Sequence, residues 1–388
     1  MNKDEYMICN KIKYLISSLV VALLAIACSG LPMSENVVDS RYAAVSFNYN
    51  WSNGTQGVTR ADSIYCLLNR IQYTCHYFVK TDRSGLFEHL NEVSSAEEVG
   101  DGSLFDSKFY IKPGEYNICI FEKPLKGVKV DSLQNFINDT RLSLRELLLH
   151  VEDCDMMQLK ALVDNEQYIS KWIDMNGAYP YIENIAPIAC DYKKNCMINS
   201  GTTTTLQFTP QELTQRVVIP FEIRLDEGVK FEKALVEVSG LTRKKYLLSE
   251  KLLCGNAGEE TGRTIVEARQ ISSQGNTLSF EAAVTSLGII PNHIDTTPIG
   301  PGVIQIAVSA SVGDKMKIFR TTRNISSLLR AKNSVIYDKE GDYYKVGSYD
   351  ITLDTDYRFF ISREDVLLNN ENGILEWDEK GNDLEGEI

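Results

Sequence analysis

Four histidines, nine cysteines and three tryptophans are the side chains from which this sequence could assemble a catalytic, metal or ligand site. His76, His89, His150 and His293 are scattered, and no two have the spacing that puts a pair of imidazoles on one helix face for zinc. No Gly-x-Ser-x-Gly elbow, phosphate-binding glycine loop or dinucleotide fingerprint occurs. After Cys28 come Cys66, Cys75, Cys119, Cys154, Cys190, Cys196 and Cys254. Their odd number and irregular spacing do not make a disulfide framework. Cys190 and Cys196 are spaced to close a small loop, and the others read as small core hydrophobes. Trp51, Trp172 and Trp377 are candidates for stacking on sugar faces, although a buried anchor is the commoner use of tryptophan. The acidic stretches 338–350 and 369–387 lack the alternating ligand positions of a calcium loop and read as solvated. These patterns predict no catalytic set, no metal site and no cofactor.

The informative cysteine stands at the end of an apolar run. Lys11 and Lys13 precede an uncharged stretch from Tyr14 to Ala27, too short for a membrane span of roughly 20 apolar residues. Small residues at Ala25 and Ala27 suit a signal-peptidase groove, and Cys28 follows directly. The arrangement resembles the lipobox of bacterial lipoproteins, in which the cysteine is acylated and becomes the new N-terminus. That resemblance implies a signal peptide over 1–27, lipidation at Cys28, a tether over 28–42 and durable attachment to a membrane by the acyl chains.

Removing 27 residues leaves 361, enough for two domains of ordinary size. The whole chain carries a formal charge of −13. An acidic chain without a basic run is a poor partner for nucleic acid.

The elements that would position any site are mostly strands. Val45, Phe47, Tyr49 and Trp51 alternate with polar residues. Ile71, Tyr73, Cys75, Tyr77 and Val79 repeat the period. Residues 105–111 and 116–120 flank Lys112-Pro113-Gly114-Glu115 and predict a β-hairpin. Leu144, Leu147, Leu148 and Val151 have helical spacing, with Ser143 and Glu146 as a capping box and His150 at the helix end. A second helical stretch runs over 157–163. Val217, Ile219, Phe221, Ile223 and Leu225 share one face of a strand, and Pro220 argues for an edge position. Val236 and Val238 predict a strand ended by Gly240. Residues 304–312 and 316–318 form a hairpin about Gly313-Asp314, 326–331 a short helix, and Tyr349, Ile351 and Leu353 a late strand. The reading is mainly β, in two domains: 43–200 with a helical insertion near 131–176, and 201–388 with an acidic tail. From Glu364 to Ile388 the tail holds nine acidic residues and one lysine, which makes a poor donor strand for an apolar groove and predicts that it flanks its own domain.

The order of these features resembles the fimbrillin-like envelope lipoproteins of gut and oral Gram-negative anaerobes. The Val-x-Phe-x-Tyr-x-Trp strand follows the acylated cysteine. Then come Lys112-Pro113-Gly114-Glu115-Tyr116, a threonine-rich boundary, Val217-Val218-Ile219-Pro220-Phe221, Val238-Ser239-Gly240-Leu241 and Asn372-Gly373-Ile374-Leu375-Glu376-Trp377-Asp378. The resemblance implies two tandem transthyretin-like β-sandwiches, the first with the helical insertion, at the outer membrane or cell surface. It implies a structural anchor, accessory or adhesion subunit that meets other fimbrial subunits through strands, and not an enzyme. A glycan-binding lipoprotein is the alternative.

Overall fold

Alternating strands with one oily face must pair those faces, and here they do so in two stacked pairs of sheets. The computed structural model describes residues 42–51, 60–71, 76–86, 104–105, 108–133, 143–163, 179–253, 260–368 and 374–376. The fold is mainly β.

In the first pair, one sheet runs Thr203–Phe208, Ala43–Tyr49, Lys108–Ile111, Leu104–Phe105. The other runs Gln211–Glu212, Ala189–Ile198, Gly114–Glu122, Ser63–Arg70, His76–Asp82. Val45, Phe47 and Tyr49 from the first sheet meet Ile64, Cys66, Leu68, Tyr116, Ile118 and Ile120 from the second in one buried core. Aromatic rings lock the two sheets, with Tyr77 edge-on to Phe109 at 5.7 Å between centroids.

Two expectations are corrected here. Lys108–Ile111 and Gly114–Glu122 are not a hairpin: the first pairs with Ala43–Tyr49, the second with Ser63–Arg70 and Ala189–Ile198. The Lys112-Pro113 step carries the chain from one sheet to the other, because Ile111 and Tyr116 fill the same core from opposite sides. The strand expected over 71–79 is His76–Asp82, paired with Ser63–Arg70; 72–75 and the His76 side chain lie outside the described residues.

In the second pair, one sheet runs Arg269–Gln274, Thr277–Ser286, Gln215–Leu225, with Asp350–Thr352 and Arg358–Ile361 both lying along the far side of Gln215–Leu225. The other runs Thr261–Glu267, Lys230–Thr242, Val303–Val312, Lys315–Asn324, Ile374–Glu376. The hairpin about Gly313-Asp314 and the helix Ser326–Ala331 are where the sequence put them. Gly240 does not end its strand. It sits at φ +83° in a bulge between Ser239 and Leu241, where a Cβ would lie 2.6 Å from Pro301 Cβ.

Pro220 is not on an edge strand; Gln215–Leu225 has partners on both sides. On the parallel side Arg216 N–H donates to Tyr349 O at 2.7 Å and Glu222 N–H to Tyr357 O at 2.9 Å. The even-numbered residues therefore face that side, and Pro220, which has no N–H, faces the break between Thr352 and Arg358. Its carbonyl accepts from the Thr355 hydroxyl.

Of the segment expected to be a helical insertion, 134–142 and 164–176 lie outside the described residues, and the rest is only partly helical. Leu144–Glu146 is a single 3-10 turn, capped by the predicted Ser143–Glu146 box. Leu148–Val151 is a strand in a three-stranded sheet between Val128–Asp131 and Lys244–Tyr246. Buried Leu147, Leu149 and Val151 alternate; half-buried Leu148 supplied the false helical spacing. Met156–Val163 is helical, as predicted. This small sheet joins a residue range before 200 to one after it. Its leucines continue a core that runs from Leu67, Phe121 and Cys190 to Val217, Val238 and Phe280. The second sheet of the first pair is thus buried on both faces.

Candidate functional site

Trp51 is the one predicted stacking residue among the described residues; Cys28, Trp172 and Trp377 lie outside them. Two strand ends converge on it. Ala43–Tyr49 runs out at Trp51, and His76–Asp82 ends in a tight turn. The Asp82 carboxylate fixes that turn by accepting from Ser84 N–H at 2.8 Å, Ser84 hydroxyl at 2.6 Å and Leu86 N–H at 3.0 Å. Burial opposes this charge, but together the bonds from Ser84 and Leu86 hold the carboxyl below its usual range.

The turn presents Arg83. Its guanidinium lies 3.8 Å over the Trp51 ring, and its carbonyl accepts the Trp51 indole N–H at 2.9 Å. Tyr49 packs on the same indole at 5.6 Å. Trp51 is therefore half-buried and already stacked by the protein itself.

Beneath it lies a charged lattice. Glu122, fully buried at the end of its strand, pairs with Arg83 and with Arg60 at 2.9 Å, and accepts the Ala189 backbone N–H at 2.7 Å. Arg60 also pairs with Glu212. Burial pushes the Glu212 carboxyl up, against the opposing pull of Arg60. Two arginines face two glutamates, so the charge is balanced. Arg60 and Glu212 lie 152 residues apart in sequence, and nothing local announces that they meet.

A second buried charge sits nearby. Lys245 is 2% exposed, and its ammonium donates to the Leu213 carbonyl at 3.1 Å. Burial lowers its pKa from the ordinary 10.5 to about 8, against the pull of Cys190 and Glu250.

The remaining candidates are dispersed. Cys190 and Cys196 cannot close a loop, since both lie on the extended strand Ala189–Ile198. The near neighbour of Cys190 is Cys119, with the sulfurs 3.9 Å apart. Burial pushes the Cys66 thiol up to about 12 and the Cys154 thiol up to about 11. His150 ends no helix; it lies on Leu148–Val151 with its Nδ1 3.2 Å from Asp131. His293 lies 6.4 Å from the ring of Tyr344. Among the described residues, no three His, Cys, Asp or Glu side chains converge as a metal site. The acidic stretch after 338 is no simple loop. Val335–Asp338 pairs with Tyr343–Val346, and a signal for this was present in Tyr337 and Tyr343-Tyr344 flanking a turn with Gly341.

The strand edges complete the inventory. Arg269–Gln274 is exposed at every residue, including Ile271 at 48%, and among the described residues no strand covers its outer side. At the opposite end of the facing sheet, Ile374–Glu376 pairs in parallel with Ile318–Arg320. This part of the acidic tail therefore flanks its own sheet, as predicted.

No family model matches the chain, and no curated protein matches it. Among solved structures, it is similar to a "putative adhesin" of Bacteroides ovatus, at 8% identity and a TM-score of 0.45, over 86% of this chain and 97% of that one. It is also similar to the fimbrial anchor protein Mfa2 of Porphyromonas gingivalis, at 9% identity and a TM-score of 0.32, over 78% and 94%. A third is described among "putative polysaccharide binding proteins" of Bacteroides thetaiotaomicron, at 10% identity and a TM-score of 0.35, over 83% and 92%. The first two are described as adhesin or fimbrial proteins and the third as polysaccharide-binding. Each is a likeness in the course of the chain and in nothing finer.

Proposed function

We propose that this chain is a lipid-anchored structural subunit of the outer-membrane surface, an anchor or accessory component of a fimbrial or adhesive assembly that meets its neighbours through strand edges. Cys28 supplies the tether, 28–42 the spacer, and the two sheet pairs two tandem sandwiches; Thr203–Phe208 and Gln211–Glu212 complete the sheets of the first, so the division falls after 212 and not at the expected 200. The observation that carries the reading is the edge strand Arg269–Gln274, whose outer side no strand covers among the described residues and which could accept a further strand there. Such augmentation gains main-chain hydrogen bonds, and the exposed Ile271 offers an apolar contact at the centre of the strand. The C-terminal strand acts differently: already seated on its own sheet, it is a cap and not a donor.

The test is co-purification from detergent-solubilised envelopes with a tag placed within residues 30–40. The expected result is recovery of a ladder of other β-rich subunits that stay associated until heated. A Cys28→Ala variant is expected to leave the membrane fraction. Recovery of the protein alone, or a Cys28→Ala protein still in the membrane, would overturn the corresponding half of the proposal.

A further inference from the structure

The hairpin formed by Val335–Asp338 and Tyr343–Val346 belongs to neither sheet pair. It is attached through Leu252, whose N–H donates to Tyr344 O at 2.8 Å, and through the isolated bridge between Lys251 and Lys345. A small core of Leu252, Ile290, Val335 and Val346 holds it, with Tyr344 packed against it. A cleft of about 720 Å³ lies between the hairpin, the 251–253 segment and His293. That volume is within the range of about 300–1,000 Å³ typical of small-ligand sites.

One wall of the cleft is aromatic. Tyr337 and Tyr344 face each other across the hairpin with centroids 5.2 Å apart, and His293 follows Tyr344. Tyr337 is 46% exposed yet fixed in place, since its hydroxyl donates to the Asp342 carboxylate. Tyr343 packs over the turn: a Cβ on Gly341 would lie 2.2 Å from its Cε1, so the glycine leaves room for the ring in this position. On the rim stand Asp342, Glu260 and Lys251. Rings held rigid before a ligand arrives cost little ordering entropy on binding.

We infer that this cleft binds a neutral oligosaccharide. Tyrosine faces stack on the C–H faces of pyranose rings, and carboxylates accept hydrogen bonds from sugar hydroxyls. Two rim carboxylates against one lysine oppose a sulfated, phosphorylated or sialylated ligand. The inference stands independently of the subunit role, because an anchored protein could bind glycans with or without fimbrial partners.

The test applies the detergent-solubilised full chain to an array of immobilised gluco-, galacto-, manno- and xylo-oligosaccharides together with sialylated and sulfated glycans. Binding to at least one neutral class is expected. Tyr337→Ala and Asp342→Asn should each weaken it at least tenfold, while Tyr246→Ala, at an exposed tyrosine outside the cleft, should leave it unchanged. Far-ultraviolet circular dichroism establishes that each variant is folded, and Asp342→Asn keeps the tyrosine rings should Tyr337→Ala disturb the hairpin. The inference is overturned if the wild type binds no neutral glycan, if it binds acidic glycans alone, or if binding survives both cleft substitutions.

Discussion

Two charges are buried beside the same stretch of backbone, and the protein treats them in opposite ways. Glu122 holds the Ala189 N–H and two arginines. Lys245 holds the Leu213 carbonyl, and Leu213 N–H in turn donates to Ile188 O. The carboxylate is matched on every side. The ammonium keeps one hydrogen bond and a depressed pKa. A buried charge is costly in proportion to what it lacks, so the first should be expensive to remove and the second expensive to keep.

The largest effect should come from Glu122→Ala. The substitution strands Arg60 and Arg83 without their buried partner and orphans the Ala189 N–H. A loss of about 3–5 kcal/mol is expected, read from urea denaturation. A loss below about 1 kcal/mol would show that the arginines are satisfied by Glu212 and water, and the contrast with Lys245 would collapse.

Lys245→Met should act in the other direction. The native ammonium loses its proton near pH 8, whereas the unfolded one keeps it to 10.5. Between those values the unfolded chain binds more protons, so stability rises with pH; below 8 the full cost of the buried charge is present. The displacement corresponds to about 3 kcal/mol, and the lost bond to Leu213 subtracts about 1 kcal/mol of this gain. The variant should therefore be more stable than the wild type at pH 7 by about 2 kcal/mol, with a flat profile from pH 8 to 10.5. Denaturation midpoints across that range decide it; a wild type that does not gain stability with rising pH would break the argument.

The same contrast explains what the sequence could and could not reveal. Strands with one oily face, such as Ala43–Tyr49 and Gln215–Leu225, write their period into the sequence. Ser63–Arg70 does not, because Ile64, Cys66 and Leu68 face one core while Leu67 faces the other, and a strand buried on both sides loses alternation. Turn chemistry marks a reversal but not its destination, so Lys112-Pro113-Gly114-Glu115 served a sheet-to-sheet crossing as well as it would a hairpin. Charge is less legible still. Lys245 stands in Thr-Arg-Lys-Lys-Tyr, which reads as solvated, and Glu122 in Phe-Glu-Lys; their burial is decided by strands far away in sequence. Trp51 was visible as an aromatic, but the arginine that covers it was not. The tyrosine hairpin was hidden by the acids of its own turn.

Pro220 sets the lower limit of the comparison. Glu122 has partners for its charge and Lys245 has too few; at Pro220 a missing donor meets a missing acceptor, in the break between Asp350–Thr352 and Arg358–Ile361. Pro220→Ala restores an N–H where no strand carbonyl waits, and it frees the unfolded chain. The entropy term costs about 0.4–1 kcal/mol. The new N–H adds little if water reaches it at the break. A loss of at most about 1 kcal/mol is expected by urea denaturation, well below that of Glu122→Ala. If the variant instead loses as much as Glu122→Ala does, the break is dry and the proline is essential to it. If it gains stability, the N–H has found an acceptor, and the two short strands close toward one continuous strand along Gln215–Leu225.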